Sequence, residues 1–305
     1  MEDAPFDSTP LWYRQIYHSG AFTGFHEAIQ DHALVYVERA PKTLIVTFDN
    51  LSQAGSSYLN RDPWAAKFVS DEGHSHLGVM AHGPTWFRDP LLIARLEALR
   101  DGGFFARFDT VAFAGTSMGG FAALTFSRLS PKARVIAFSP QSTLRQDLVP
   151  WEHRFVKSRL QDWTLPYSDA AEDLVDADKV YLCYDPFDIN DARQAKRLPS
   201  EWVTPLRAPG CGHKTALVLQ RAELLKTVMR SAIDGTLTPE TFGQLIRARR
   251  NTRMYCLEMV DHLLARGHDA RANQFKWAFK RRRKRLKREK DDGTGETQNA
   301  HIHCE

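Results

Sequence analysis

A chain of 305 residues is long enough to bury a full hydrophobic core, as one large domain or two small ones. Its hydrophobic fraction of 43% and charged fraction of 26% are those of an ordinary globular protein. No apolar run approaches the roughly 20 residues that cross a bilayer, and Met1-Glu2-Asp3 does not open a secretory signal, so a cytoplasmic location is expected. The net charge of +4 is uneven: Lys280 to Lys290 holds nine basic residues and one acidic, and the remainder of the chain is acidic.

In chain order, residues 1–40 alternate aromatic and polar positions and carry a strand at His32 to Glu38, of the kind that leads a mixed sheet. Thr43 to Phe48 (TLIVTF) is a continuous apolar, β-branched run, expected of a strand buried on both faces, and His76 to Ala81 is a weaker strand signal. Asp89-Pro90 opens a helix that Gly102-Gly103 stops. Thr110 to Ala114 reads as a strand, Gly119 to Leu129 as a helix of small residues, and Arg134 to Phe138 as a strand. Residues 141–178 form an irregular, lid-like excursion with one or two helices. Lys179 to Tyr184 and Trp202 to Leu206 are further strands, the second an edge because of Pro205. Strands alternating with helices predict an α/β fold, a mostly parallel sheet with helices on both faces. After about residue 235 the pattern turns helical, with Thr238-Pro239-Glu240 opening one helix and Met254 to Arg266 forming another. The expected division is a catalytic domain over 1–235, a helical extension over 236–279 and a disordered basic tail over 280–305.

Gly115-Thr116-Ser117-Met118-Gly119 fits G-x-S-x-G, between a strand and a helix. A serine on so sharp a turn lifts its hydroxyl above the sheet, and glycines flank it because side chains there would collide. The following helix aims its N-terminal N–H groups and positive dipole end at the place where an oxyanion would form. Gly210-Cys211-Gly212-His213 follows the final expected strand, a tight loop that could carry an imidazole back over the sheet to the serine. His74, His76 and His82 precede the nucleophile and are not expected to act as the base.

These two motifs, across roughly residues 30–235, resemble the α/β-hydrolase superfamily of esterases, lipases, thioesterases and peptidases. The resemblance implies the chain order serine, acid, histidine. It gives Ser117 as nucleophile, His213 as general base, and an acid shortly after the strand ending at Tyr184. Asp188 fits that slot best, with Asp185 as the alternative, while Asp191 reads as a helix cap. The resemblance also implies an oxyanion hole built from the N–H of Met118 and a donor near Asn50 or Leu51. Phe48-Asp49-Asn50 departs there from the His-Gly that many members carry.

Trp86 and Arg88 follow the strand at His76 to Ala81 and are candidates to line a substrate pocket, with Arg88 as a holder of anionic groups. The widely spaced cysteines Cys183, Cys211, Cys256 and Cys304 suggest reduced thiols, and His301, His303 and Cys304 make no convincing metal set. No cofactor or metal is implied. The basic run is expected to contact, at most, an anionic partner such as nucleic acid, lipid or an acidic protein. The expected function is a serine hydrolase that cleaves an ester or thioester of a small acylated substrate through an acyl-enzyme. The alternatives are acyl transfer by the same residues, or a binding protein that keeps the fold without catalysis.

Overall fold

The computed structural model describes residues 23–39, 42–54 and 61–299, with side chains to residue 288. The aromatic alternation over residues 1–22 and the trio His301, His303 and Cys304 lie outside the described residues. Eight strands form one sheet: β1 (Thr23–Ile29), β2 (His32–Glu38), β3 (Thr43–Phe48), β4 (Ser75–Ala81), β5 (Thr110–Thr116), β6 (Arg134–Phe138), β7 (Lys179–Tyr184) and β8 (Val203–Arg207). Their spatial order is β1-β2-β4-β3-β5-β6-β7-β8. β2 runs antiparallel to both β1 and β4, and every pairing from β4 to β8 is parallel.

The apolar strands sit where their composition sends them. Side chains alternate across a strand, so Leu44, Val46 and Phe48 of β3 enter one core while Ile45 enters the other. In β5, Val111 and Phe113 join the first core, and Ala112 and Ala114 join the second. A strand with both faces covered needs an unbroken apolar run, which is why TLIVTF, RVIAF and KVYLCY were legible as strands.

The helices between strands are α1 (Ala66–Asp71), α2 (Pro90–Asp101), α3 (Met118–Phe126), α4 (Ala170–Asp173), α5 (Ile189–Ala195), α6 (Thr215–Arg221) and α7 (Leu225–Ile233). Asp89 caps α2 by accepting from the N–H groups of Leu91 and Leu92, and Pro90 occupies its first position, as the sequence signals predict. β3 lies between β4 and β5, so the chain leaves it in one direction and returns on the other side. The crevice between β3 and β5 at their carboxyl ends is therefore a topological switch point, where such sheets bind ligands.

The chain continues through α8 (Pro239–Leu245), a 3₁₀ segment (Ile246–Asn251), α9 (Arg253–Leu264) and α10 (Asp269–Asn299). Residues 280–299, expected without regular structure, continue α10, and over 280–290 this accords with the high helix propensity of Lys, Arg, Leu and Glu. The extension packs against the sheet end of the chain. Phe242 and Ile246 enter the second core, and Arg249 donates to the Pro209 carbonyl. Among the described residues no helix is long and apolar enough to cross a membrane.

Candidate active site

Ser117 follows β5 and caps α3, with φ 52° and ψ −116°, a conformation that side-chain-bearing residues rarely adopt. The turn is fastened by the Ser117 N–H donating to the Phe138 carbonyl at 2.8 Å and by Phe121 N–H donating to the Ser117 carbonyl at 2.9 Å. A Cβ on Gly115 would stand 2.2 Å from the Gly119 carbonyl oxygen, and one on Gly119 would stand 2.4 Å from that of Phe48. Both glycines are thus demanded by backbone against backbone, and the second brings the loop after β3 onto the start of α3.

Ser117 Oγ lies 2.9 Å from His213 Nε2. The other ring nitrogen, Nδ1, lies 2.8 Å and 3.0 Å from the two carboxylate oxygens of Asp191. A carboxylate only accepts, so Nδ1 carries the proton and donates, which leaves Nε2 as the acceptor for the serine hydroxyl. His213 is held from behind by its glycines. Gly210 and Gly212 have φ 79° and 60°, and a Cβ on them would strike Met259 and Glu258 of α9 at 2.5 Å.

The acid expected at Asp188 or Asp185 is therefore placed differently: the carboxylate on His213 is Asp191. Asp188 is the N-cap of α5, accepting from the N–H groups of Asn190 and Asp191, each at 3.0 Å. Asp185 accepts from Phe187 N–H at 2.8 Å and Gly212 N–H at 2.7 Å, which ties the loop after β7 to the histidine loop. The helix starts one residue after Asp188, so Asp191 falls in its first turn and shares the buried face with Gln194, one turn on. The cap and the partner of the histidine are exchanged relative to the sequence reading.

Met118 opens α3, where a backbone N–H has no acceptor within its helix. The Asn50 N–H donates to Gln53 Oε1 at 3.3 Å, and its side chain accepts from Ser52 and Gln53, so Asn50 serves its own turn. Leu51 is surface-exposed beside it.

Trp86 is fully buried, in a turn where it and Phe87 both have positive φ, and its indole N–H donates to Gln141 Oε1 at 3.2 Å. Its ring packs on Phe155, which in turn packs on His213, at centroid separations of 5.0 and 6.0 Å. Arg88 does not face a pocket as an anion holder. It is 4% exposed, and its guanidinium donates to the main-chain carbonyls of Asp162, Leu165, Pro166 and Tyr167. Burial lowers its pKa to about 10, against the opposing pull of Asp173 and Asp162. It is a strut that secures the excursion.

Cys211 and His76 are held uncharged by burial. Burial pushes the Cys211 thiol up to about 12. His76 is a core histidine bonded to Thr47 Oγ1 at 2.7 Å, and burial, aided by Arg39, lowers its pKa to about 3. Among the described residues no group of three or more His, Cys, Asp or Glu is arranged to hold a metal ion.

Sequence reasoning missed one further group. Arg154, from the excursion, lies 2.9 Å from Asp191 Oδ1 and 2.7 Å from Glu152 Oε2. No periodicity marks it, because the contact joins an irregular segment to a helix 37 residues away.

No protein-family model matches the chain, and no curated protein matches it. Solved structures similar to it include the capsule O-acetyltransferase of Neisseria meningitidis serogroup A, at 16% identity over 70% of this chain and 99% of that one, with a TM-score of 0.49. Carboxyl esterase 2 of the mycorrhizal fungus Tuber melanosporum is 14% identical over 75% of this chain and 86% of that one, with a TM-score of 0.46. The Pyrococcus furiosus esterase is 17% identical over 70% and 90%, with a TM-score of 0.47. The fold class rests on this chain's own sheet, mostly parallel in the order β1-β2-β4-β3-β5-β6-β7-β8, with Ser117 on the turn between a strand and a helix.

Proposed function

We propose that the chain is a serine hydrolase that cleaves an ester or thioester of a small acylated substrate, with Ser117 as nucleophile, His213 as general base and Asp191 as its acid. The observation that carries the reading is the unbroken line from Ser117 Oγ through the imidazole to a buried carboxylate, with Nε2 left as acceptor.

In the first step Ser117 Oγ attacks the acyl carbon and its proton passes to His213 Nε2. The carbonyl oxygen takes the negative charge, facing the N–H of Met118 at the positive end of α3. The carbon–oxygen or carbon–sulfur bond then breaks, and the imidazolium returns its proton to the departing alcohol or thiol. That leaves an acyl group on Ser117. A water gives a proton to Nε2, attacks the acyl carbon, and releases the carboxylic acid as the serine recovers its proton. Asp191 holds the tautomer and stabilises the imidazolium that forms twice per cycle.

A fluorophosphonate should label the protein at Ser117, and Ser117→Ala should abolish the label. The variant should melt close to the parent, because a half-buried hydroxyl with one hydrogen bond contributes about 1 kcal/mol. Labelling at a different serine would overturn the proposal.

A further inference from the structure

Glu152 and Asp191 are both wholly removed from water, at 0% side-chain exposure, and each would be costly to keep ionised alone. Arg154 lies between them. Its Nε and Nη2 donate to Glu152 at 2.9 and 2.7 Å, and its Nη1 donates to Asp191 Oδ1 at 2.9 Å. His213 Nδ1 donates to the same oxygen, and the 3.3 Å between Nη1 and Nδ1, two donors, follows from sharing one acceptor. The result is a line of alternating sign: carboxylate, guanidinium, carboxylate, imidazole.

We infer that Arg154 is a positioning residue, which with Glu152 orients Asp191 and sets how readily His213 takes a proton. The inference rests on the catalytic reading of Ser117 and His213 but concerns groups that would never touch substrate. Burial pushes the Glu152 carboxyl up, yet the hydrogen bonds and charge of Arg154 outweigh it and hold it below the usual carboxylate range. Burial also works against the Arg154 charge, and Glu152 and Asp191 more than compensate. Gln194 of α5 donates to Glu152 and accepts from Ser142, so the Glu152 end of the line is tied to the helix and, through Gln194, to the excursion. The excursion therefore contributes to the base, and is more than a cover.

The charges predict opposite effects from Glu152 and from Arg154. Glu152→Gln leaves Arg154 with Asp191 and the more distant Asp188 as its anions, so more positive charge bears on the imidazole and a proton there is less welcome. Arg154→Ala removes that positive charge and a proton becomes more welcome. Arg154→Lys keeps the charge. The other ionisable groups around the loop are Asp185, bonded to Gly212; Asp188, 3.7 Å from the guanidinium; Glu258 of α9, against Gly212; and the neighbouring Lys214. All are unchanged in the three variants and cancel in the comparison.

The full-length protein labelled with ¹⁵N on histidine, with His213→Gln used to assign the signal, allows the imidazole to be titrated directly by NMR. Glu152→Gln should lower the His213 midpoint by about one pH unit, and Arg154→Ala, which removes the nearer charge, should raise it by more than that. Arg154→Lys should stay within about 0.3 unit. The acid limb of the fluorophosphonate labelling rate should move with the midpoint in each case. Midpoints that shift in the same direction for Glu152→Gln and Arg154→Ala, or that stay put in both, would overturn the inference. If Arg154→Ala does not fold, the pair Glu152→Gln and Arg154→Lys decides: the first must fall and the second hold. A failure of the Ser117 reading shows separately, as absent labelling in the parent protein while the titration remains measurable.

Discussion

Replacing Asp191 by Asn removes one charge at 2.8 Å from His213 Nδ1 and leaves the shape nearly unchanged. An imidazolium and a carboxylate whose charges sit about 4 Å apart attract by about 4 kcal/mol at an effective dielectric near 20, about three decades in rate. The neutral amide also permits the wrong tautomer, and the same change in a trypsin-type triad is worth about 10⁴-fold. A loss of about 10³ to 10⁴ in kcat is therefore expected. Asp188→Asn should be nearly silent, because asparagine caps a helix as well as aspartate and stability should move by no more than about 0.5 kcal/mol. The assay is hydrolysis of p-nitrophenyl acetate, with rates divided by the concentration of sites that a fluorophosphonate titrates, so that partial unfolding does not imitate lost catalysis. If Asp188→Asn were the crippled variant and Asp191→Asn retained activity, the assignment of the acid from hydrogen-bond geometry would be refuted.

Arg88→Met should lower stability by about 2–4 kcal/mol, read as a shift of the urea midpoint, because the main-chain carbonyls it serves lose their donor. Its KM ratio for anionic against neutral esters should not change. His76 gives stability a pH dependence of known sign. With its folded pKa lowered to about 3 against 6.5, the unfolded chain takes up a proton the folded one refuses, so its contribution is whole above about pH 6.5 and is lost as pH falls toward 3. His76→Gln should flatten that part of the slope, at most about 1.4 kcal/mol per pH unit, in urea titrations across the window.

The elements that were legible in the sequence are those with a local signature. TLIVTF, RVIAF and KVYLCY announce themselves because a strand covered on both faces admits no polar alternation, and the elbow because its glycines are imposed by backbone contact. His213 was reachable through the positive φ its flanking glycines permit. Its carboxylate partner was not, because Asp185, Asp188 and Asp191 recur every three residues and any of them could cap or be presented. No spacing signal decides it, because Asp185 and Asp188, Asp188 and Asp191, and Asp191 and Gln194 all stand at the spacing of a capping box. Arg88 and Arg154 were beyond reach for a different reason. Each is defined by long-range partners, four carbonyls in one case and two buried carboxylates in the other, and nothing in the neighbouring residues encodes them.

The close fit of α9 against the loop at Gly210 and Gly212 bears on when the motion of the base is surrendered. Met259, Tyr255 and Glu258 stand where side chains on those glycines would be, and His262 of the same helix stacks on Phe187 at 4.5 Å beside the acid-bearing turn. A loop free to wander would have to be re-ordered at each turnover, and that entropy would appear in the barrier. Wedged by α9, the loop loses its freedom once, during folding, and under the proposed mechanism the imidazole would meet each substrate already aimed. The residues after 235 thus stand no more than one side chain from the His213 loop, and under the proposed mechanism substitutions at Met259 or Glu258 should register in the activation entropy before they register in the melting temperature.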